Sequence, residues 1–271
     1  VTLLLILFTV LAGLAFGSFL NVCISRLPRH ESVVAPRSRC PKCRAPIRSW
    51  DNIPVISWLL LRGRCRRCGK RISFRYPAIE LTSAALFLLC LVHFREEPVR
   101  AIFSAILCWL LLGLAATDAE TMLLPDALTL PGIGLGVVQS GLADDWPVFG
   151  WRLAAMALFW AGCAAALILL IRGLYWLARR REGIGLGDAK LLAMIAAWLG
   201  PWPTLLTLFL AVIGAAAYGL TLLALRTTRK TEADSAASVV RIPLGAFLGA
   251  AAIFTVFEGG NVLGWYFGFF R

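Results

Sequence analysis

Two aspartates and four cysteines are the residues whose type and placement could do chemistry. Asp118 stands in Thr117-Asp118-Ala119-Glu120-Thr121 and Asp188 in Gly185-Leu186-Gly187-Asp188-Ala189-Lys190, each at the edge of an apolar stretch. An ionisable residue in or at a membrane span is costly to keep, which makes it a functional candidate by default. Two carboxyls about 3 Å apart cannot both ionise, so one stays an acid while the other is a base. Such a pair can activate water for peptide hydrolysis without a metal or a nucleophilic side chain. The chain has no H-E-x-x-H and no G-x-S-x-G, and neither His30 nor His93 is placed as a base for a serine or cysteine. Helix dipoles favour the charge on Asp188, which opens an apolar stretch, and the proton on Asp118, which closes one. Gly185 and Gly187 would admit a close backbone approach. Each aspartate also has a structural reading: Asp188 as a helix cap, and Asp126, after Pro125, as the cap of the stretch that follows it.

The cysteines form Cys40-Pro41-Lys42-Cys43 and Cys65-Arg66-Arg67-Cys68, two C-x2-C turns separated by 21 residues. Two such knuckles complete the tetrahedral thiolate shell of a closed structural zinc site, with no open position for a catalytic water. Two redox-active pairs are the rival reading. Cys23, Cys90, Cys108 and Cys163 lie in apolar stretches and read as small core residues.

The elements that must position these groups are membrane helices. The chain is 59% hydrophobic and only 15% charged over 271 residues, too apolar for a water-soluble domain. Eight apolar windows read as spans: 1–22, 78–94, 99–117, 127–143, 150–171, 188–200, 204–225 and 242–257. The sixth is short, and Gly200-Pro201-Trp202-Pro203 makes a tight turn after it. The aromatic tail Gly264-Trp265-Tyr266-Phe267-Gly268-Phe269-Phe270 reads as an interfacial segment rather than part of a span. The first window lacks a basic region before it and a small-residue cleavage site after it, and is expected to be retained.

Of the 27 Lys and Arg residues, 23 fall in 23–77, 172–190 and 226–241. Eight alternating spans with the N-terminus outside place all three stretches on the cytoplasmic face, and the two aspartates with them. In that reducing compartment metal ligation is favoured over disulfides. The basic loop, interleaved with Trp50 and Trp58, could suit nucleic acid, but its tether between two spans makes anionic lipid headgroups the nearer counter-charge.

At this point the residues resemble a known family, the bacterial prepilin peptidases, bifunctional leader peptidases and N-methyltransferases of type IV pilus and type II secretion systems. The resemblance runs from Gly17-Ser18-Phe19-Leu20-Asn21-Val22 through the cysteine loop, Asp51-Asn52-Ile53-Pro54-Val55 and Arg75-Tyr76-Pro77, to Leu124-Pro125-Asp126 and the Gly-x-Gly-Asp ending at Asp188. It implies that Asp118 and Asp188 are the catalytic dyad and that Cys40, Cys43, Cys65 and Cys68 ligate zinc. It implies prepilin or pseudopilin substrates with a short basic leader, cut after a glycine, and S-adenosylmethionine as methyl donor, with no donor-binding residues assigned. Ile242-Pro243-Leu244-Gly245-Ala246-Phe247 departs from the family's Pro-Phe-Gly-Pro-Phe pattern, a departure expected to touch only local backbone of the eighth span.

The expectation is an all-α polytopic membrane protein of the bacterial inner membrane. A first helix (1–22) leads to a cytoplasmic tetracysteine loop (23–77) and a transmembrane aspartic peptidase region (78–271), with Glu80, Glu120 or Asp126 meeting a basic leader. No nucleic acid partner is expected. The non-enzymatic alternative is a membrane scaffold or transporter with a zinc-bound docking loop.

Overall fold

The computed structural model describes residues 2–40, 42–142, 150–180, 185–227 and 242–269. Pro41, Arg181, the basic residues of 228–241, Phe270 and Arg271, all used in the sequence reading, lie outside the described residues. Among the described residues nine α-helices form: α1 (Leu3–Arg26), α2 (Ile56–Leu60), α3 (Arg75–His93), α4 (Pro98–Thr121), α5 (Asp126–Leu142), α6 (Gly150–Arg179), α7 (Leu186–Leu199), α8 (Pro201–Thr227) and α9 (Leu244–Gly268). Each window read as a span holds one helix among the described residues, where β-structure is limited to two isolated bridges. The protein is a multi-pass, all-helical membrane protein.

Among the described residues six helices, α1, α3, α4, α6, α8 and α9, are long and apolar enough to cross a membrane. The other two of the expected eight, α5 and α7, have 17 and 14 residues. At 1.5 Å per residue α7 is about 21 Å long, short of the roughly 30 Å hydrocarbon layer. The aromatic tail continues α9, which runs without a break through Gly264 to Gly268, and Trp202 packs on Phe267 at 5.4 Å between ring centroids.

The chain divides into two compact units, residues 1–113 and 114–271, with the division inside α4. In the first, α1 lies directly on α3. A Cβ at Gly13 would stand 2.5 Å from Ala84 Cα and one at Gly17 2.7 Å from Glu80 Cα, so only glycine permits this approach. Asn21 Nδ2 donates to the Tyr76 carbonyl at 3.0 Å and Trp109 Nε1 to that of Phe16 at 2.9 Å, closing polar groups that lipid could not satisfy. Of the isolated cysteines, Cys23, Cys90 and Cys108 are buried as expected, while Cys163 is exposed on α6.

In the second unit α7 is the centre. Leu191 through Ala197 are all buried, and α5, α6, α8 and α9 pack around it. A helix apolar on every face must be enclosed by others, and this is how so short a helix is kept in the bundle. Trp198 Nε1 donates to the Gly132 carbonyl at 2.8 Å, and Ser140 Oγ to that of Ala197 at 3.2 Å, fastening α7 to α5.

Candidate active site

Asp118 lies in the last turn of α4, 5% exposed. Its Oδ2 accepts the backbone N–H of Ala246 at 2.9 Å, in the first turn of α9. This overturns the expectation for Ile242–Phe247: the segment is a wall of the site, because the Ala246 N–H in the first turn of α9 has within its own chain only the Pro243 carbonyl, at 3.2 Å, and is shared with Asp118. A Cβ on Gly245 would lie 2.9 Å from Asp118 Oδ2, so the close passage of α9 requires glycine there. The dipole argument for proton placement falls with it. The C-terminal end of α4 disfavours charge on Asp118, but the N-terminus of α9 favours it.

Asp188 sits in the first turn of α7, where its Oδ2 accepts the Gly185 N–H at 3.2 Å, the reciprocal half of a capping arrangement. Asp188 thus takes the capping role that was its structural reading. Leu124 packs between the start of α7, which carries Asp188, and the start of α9, which lies against Asp118. Its side chain lies 3.0 Å from where a Cβ on Gly187 would be and 3.0 Å from where one on Gly245 would be. Gly187 thus serves the close approach expected of it, while Gly185 faces Asp188 itself. Asp126 is the first residue of α5, and its two oxygens take Lys190 Nζ at 2.6 and 2.8 Å. This ion pair fixes the starts of α5 and α7 side by side.

The acidic residues expected to meet a basic leader are mostly committed. Asp126 holds Lys190, and Glu80 is 7% exposed with Oε2 accepting the Val55 N–H at 2.7 Å. Glu120 is exposed.

The four cysteine sulfurs of the loop lie within 4.8 Å of one another. The two knuckles repeat one geometry. Cys40 N–H donates to the Ala45 carbonyl and Arg44 N–H to that of Cys40; Cys65 N–H donates to the Lys70 carbonyl and Gly69 N–H to that of Cys65, all at 2.9 Å. Arg44 and Gly69 both take positive φ, 56° and 67°, to turn the chain back. The Sγ atoms of Cys40 and Cys68 are 3.9 Å apart, close to the roughly 3.8 Å edge of a tetrahedron with metal–sulfur bonds of about 2.3 Å. The N–H groups of Cys68 and Arg67 aimed at the Cys65 sulfur push its thiol down to about 7. The cluster fits a metal ion. Arg66, between the second pair of cysteines, forks onto Asp51 with Nε–Oδ2 3.0 Å and Nη2–Oδ1 2.7 Å, and the guanidinium holds the Asp51 carboxyl below its usual range.

Comparison with known proteins bears on both regions. The profile of the Bacterial Peptidase A24 N-terminal domain matches residues 11–94, and that of the Type IV leader peptidase family matches 105–220. A prepilin leader peptidase/N-methyltransferase of Aeromonas salmonicida is 35% identical over 286 residues, covering 94% of this chain and 91% of the relative. One of Dichelobacter nodosus is 35% identical over 98% of this chain and 95% of its own length. The chain belongs to the type IV leader peptidase family. A further member, from Klebsiella pneumoniae, is 44% identical over 207 residues, 73% of this chain and 86% of the relative. Within the family match, the peptidase profile spans both Asp118 and Asp188, and the N-terminal profile spans all four clustered cysteines. No solved structure matches the chain.

The sequence reading missed Leu124, Gly245 and Ala246 as parts of the site. Leu124 and Gly245 carry no polar side-chain chemistry, and Ala246 acts through its backbone. The only available signal was the family motif around each: Leu124 precedes Pro125-Asp126, and Gly245 lies where a Pro- and Gly-rich pattern was expected.

Proposed function

We propose that this chain is a membrane aspartic endopeptidase that removes the basic leader of type IV prepilins or type II secretion pseudopilins and N-methylates the new N-terminus. Asp118 and Asp188 are the dyad. The ionised carboxyl takes a proton from water, whose oxygen adds to the scissile carbonyl, while the protonated carboxyl donates its proton to the carbonyl oxygen. Collapse of the tetrahedral adduct breaks the C–N bond, and the amine leaves with a proton returned by the dyad. The observation that carries the reading is the meeting of the α4 end, the α7 start and the α9 start around these two carboxyls, in a chain of this family.

The tetracysteine cluster is assigned to structural zinc, which supplies fold to a loop too short to build a core. The bilayer is assigned to the bacterial inner membrane, with the dyad at its cytoplasmic edge and anionic lipid headgroups against the basic loop. S-adenosylmethionine would supply an electrophilic methyl group for the new amine. The cavity of about 330 Å³ lined by Leu169, Arg172, Gly173 and Trp176 offers an aromatic ring and a cation but no carboxylate for ribose hydroxyls, and does not fit it. The methyltransferase half therefore rests on family membership alone.

Co-expression with a prepilin tests the peptidase. Asp118→Asn and Asp188→Asn each keep the side-chain volume and are expected to leave the prepilin uncut, while wild type cleaves it. Cleavage by both variants at the wild-type level would return the aspartates to a capping role. Mass spectrometry of the product N-terminus, with or without one added methyl, tests the second activity separately.

A further inference from the structure

The tetracysteine loop does not simply hang in water between α1 and α3. It returns to the membrane helix and is held there. Val55, immediately before α2, adopts φ 60° and ψ −51°, and the Ile56 N–H donates to the Pro54 carbonyl at 2.6 Å. This is a γ-turn of the rare, strained kind, on a β-branched residue. The contact that holds it comes from α3: Glu80 Oε2 takes the Val55 N–H at 2.7 Å. On the far side of α2, Trp58 Nε1 donates to the Ile72 carbonyl at 3.3 Å and its ring meets Phe74 edge-on at 5.8 Å. The start of α2 is thus tied to the second turn of α3, and its middle residue Trp58 to the chain that leads into α3.

That attachment fixes a depth. Glu80 is five residues into α3, about 7.5 Å along its axis. With 19 residues α3 is about 28 Å long, roughly the thickness of the hydrocarbon layer, so it has no length to spare outside it. A segment bonded to Glu80 is consequently at the membrane boundary. Residues Ile56, Leu59 and Leu60 recur at i, i+3 and i+4 and so share one face of α2. All three are exposed, Leu60 at 78%, while Ser57, turned the other way, is buried and bonded to the Trp50 carbonyl. The chain leaving α2 is strongly basic: Arg62, Arg64, Arg67, Lys70 and Arg71 follow within eleven residues.

We propose that α2 is an interfacial anchor, whose Ile56–Leu59–Leu60 face enters the boundary layer of an anionic bilayer while the basic residues beyond it meet the headgroups. Apolar residues beside a cationic stretch, held at interfacial depth, match a lipid surface on both counts. A prepilin is a poorer fit, since its basic leader would be repelled by the same arginines. The proposal deepens the lipid contact assigned above. It rests on the membrane topology and is independent of peptidase activity, because it is tested without prepilin.

The full chain is reconstituted in nanodiscs with p-benzoylphenylalanine in place of Leu60, and separately of Ile56, and irradiated. Mass spectrometry is expected to find adducts to lipid acyl chains, with about tenfold more in discs containing phosphatidylglycerol than in discs of phosphatidylcholine alone. Leu59→Glu in the Leu60-labelled chain is expected to reduce the lipid adduct severalfold while one zinc per chain is retained. Adducts confined to protein, whether this chain or a second copy, overturn the proposal, as does an equal yield in the two lipid compositions.

Discussion

At the residue scale the site turns on a backbone amide. The Asp118 carboxyl is buried at the end of α4 and takes the Ala246 N–H at 2.9 Å. A hydrogen bond to a charged group contributes about 1.5–3 kcal/mol, or roughly ten- to a hundredfold in rate when it orients a reacting group. Ala246→Pro removes that donor at a first-turn position where proline is tolerated. It is expected to lower kcat for prepilin cleavage by about ten- to a hundredfold with KM little changed. Gly245→Ala, which sets a methyl 2.9 Å from Asp118 Oδ2, is expected to act in the same direction. Steady-state cleavage of a detergent-solubilised prepilin gives both constants, and wild-type kcat in Ala246→Pro would remove α9 from the site. The aspartates themselves were legible in the sequence, because a carboxylate beside an apolar run is an anomaly that composition exposes. Ala246 was not, since its contribution is a backbone group that every residue but proline has.

At the element scale the proposed dyad depends on how α7 is seated. Its burial from Leu191 to Ala197 and its bonds with α5, Trp198 to the Gly132 carbonyl and Ser140 to the Ala197 carbonyl, set where its first turn, and with it Asp188, emerges. Gly136 is the tight point, because a Cβ there would lie 2.6 Å from Trp198 Cδ1 and 3.0 Å from Ala197 Cβ. Gly136→Val would force the indole away from the Gly132 carbonyl or push α5 outward. Overpacking of this kind costs typically about 1–3 kcal/mol, so thermal unfolding in detergent is expected at lower temperature, with cleavage reduced because Asp126 moves with α5 and pulls Lys190, two residues from Asp188 on α7, out of place. Unchanged unfolding would mean that α5 and α7 are not tightly seated. The sequence identified both helices from their apolar runs and turn residues. It did not reveal that α7 is enclosed while its neighbours face lipid, because an apolar residue against protein and one against lipid are written alike.

At the scale of the whole molecule, two independent arguments support the proposed membrane sidedness of the connections. The basic residues gather in 23–77, 172–190 and 226–241, the pattern of cytoplasmic loops. Within the second unit, alternation of five helices requires the α4 end and the α5, α7 and α9 starts to share one face. The contacts Ala246–Asp118, Lys190–Asp126 and Leu124 against Gly187 join these four ends. The Trp202–Phe267 contact joins the α8 start to the α9 end, the pair that alternation puts on the opposite face. The short α5 and α7 must therefore both count as crossings, although neither reaches the length of an isolated span, since omitting either one would reverse the side of everything after it. Alkaline phosphatase, active only outside the cytoplasm, checks this when fused after successive residues. Fusions after Glu96 and after Gly268 are expected to be active, and fusions after Met122 and after Arg180 inactive. Activity after Met122 would put the Asp118 end of α4 outside, away from any cytoplasmic leader; activity after Arg180 would mean that α5 does not cross, and loss of activity after Gly268 that α7 does not.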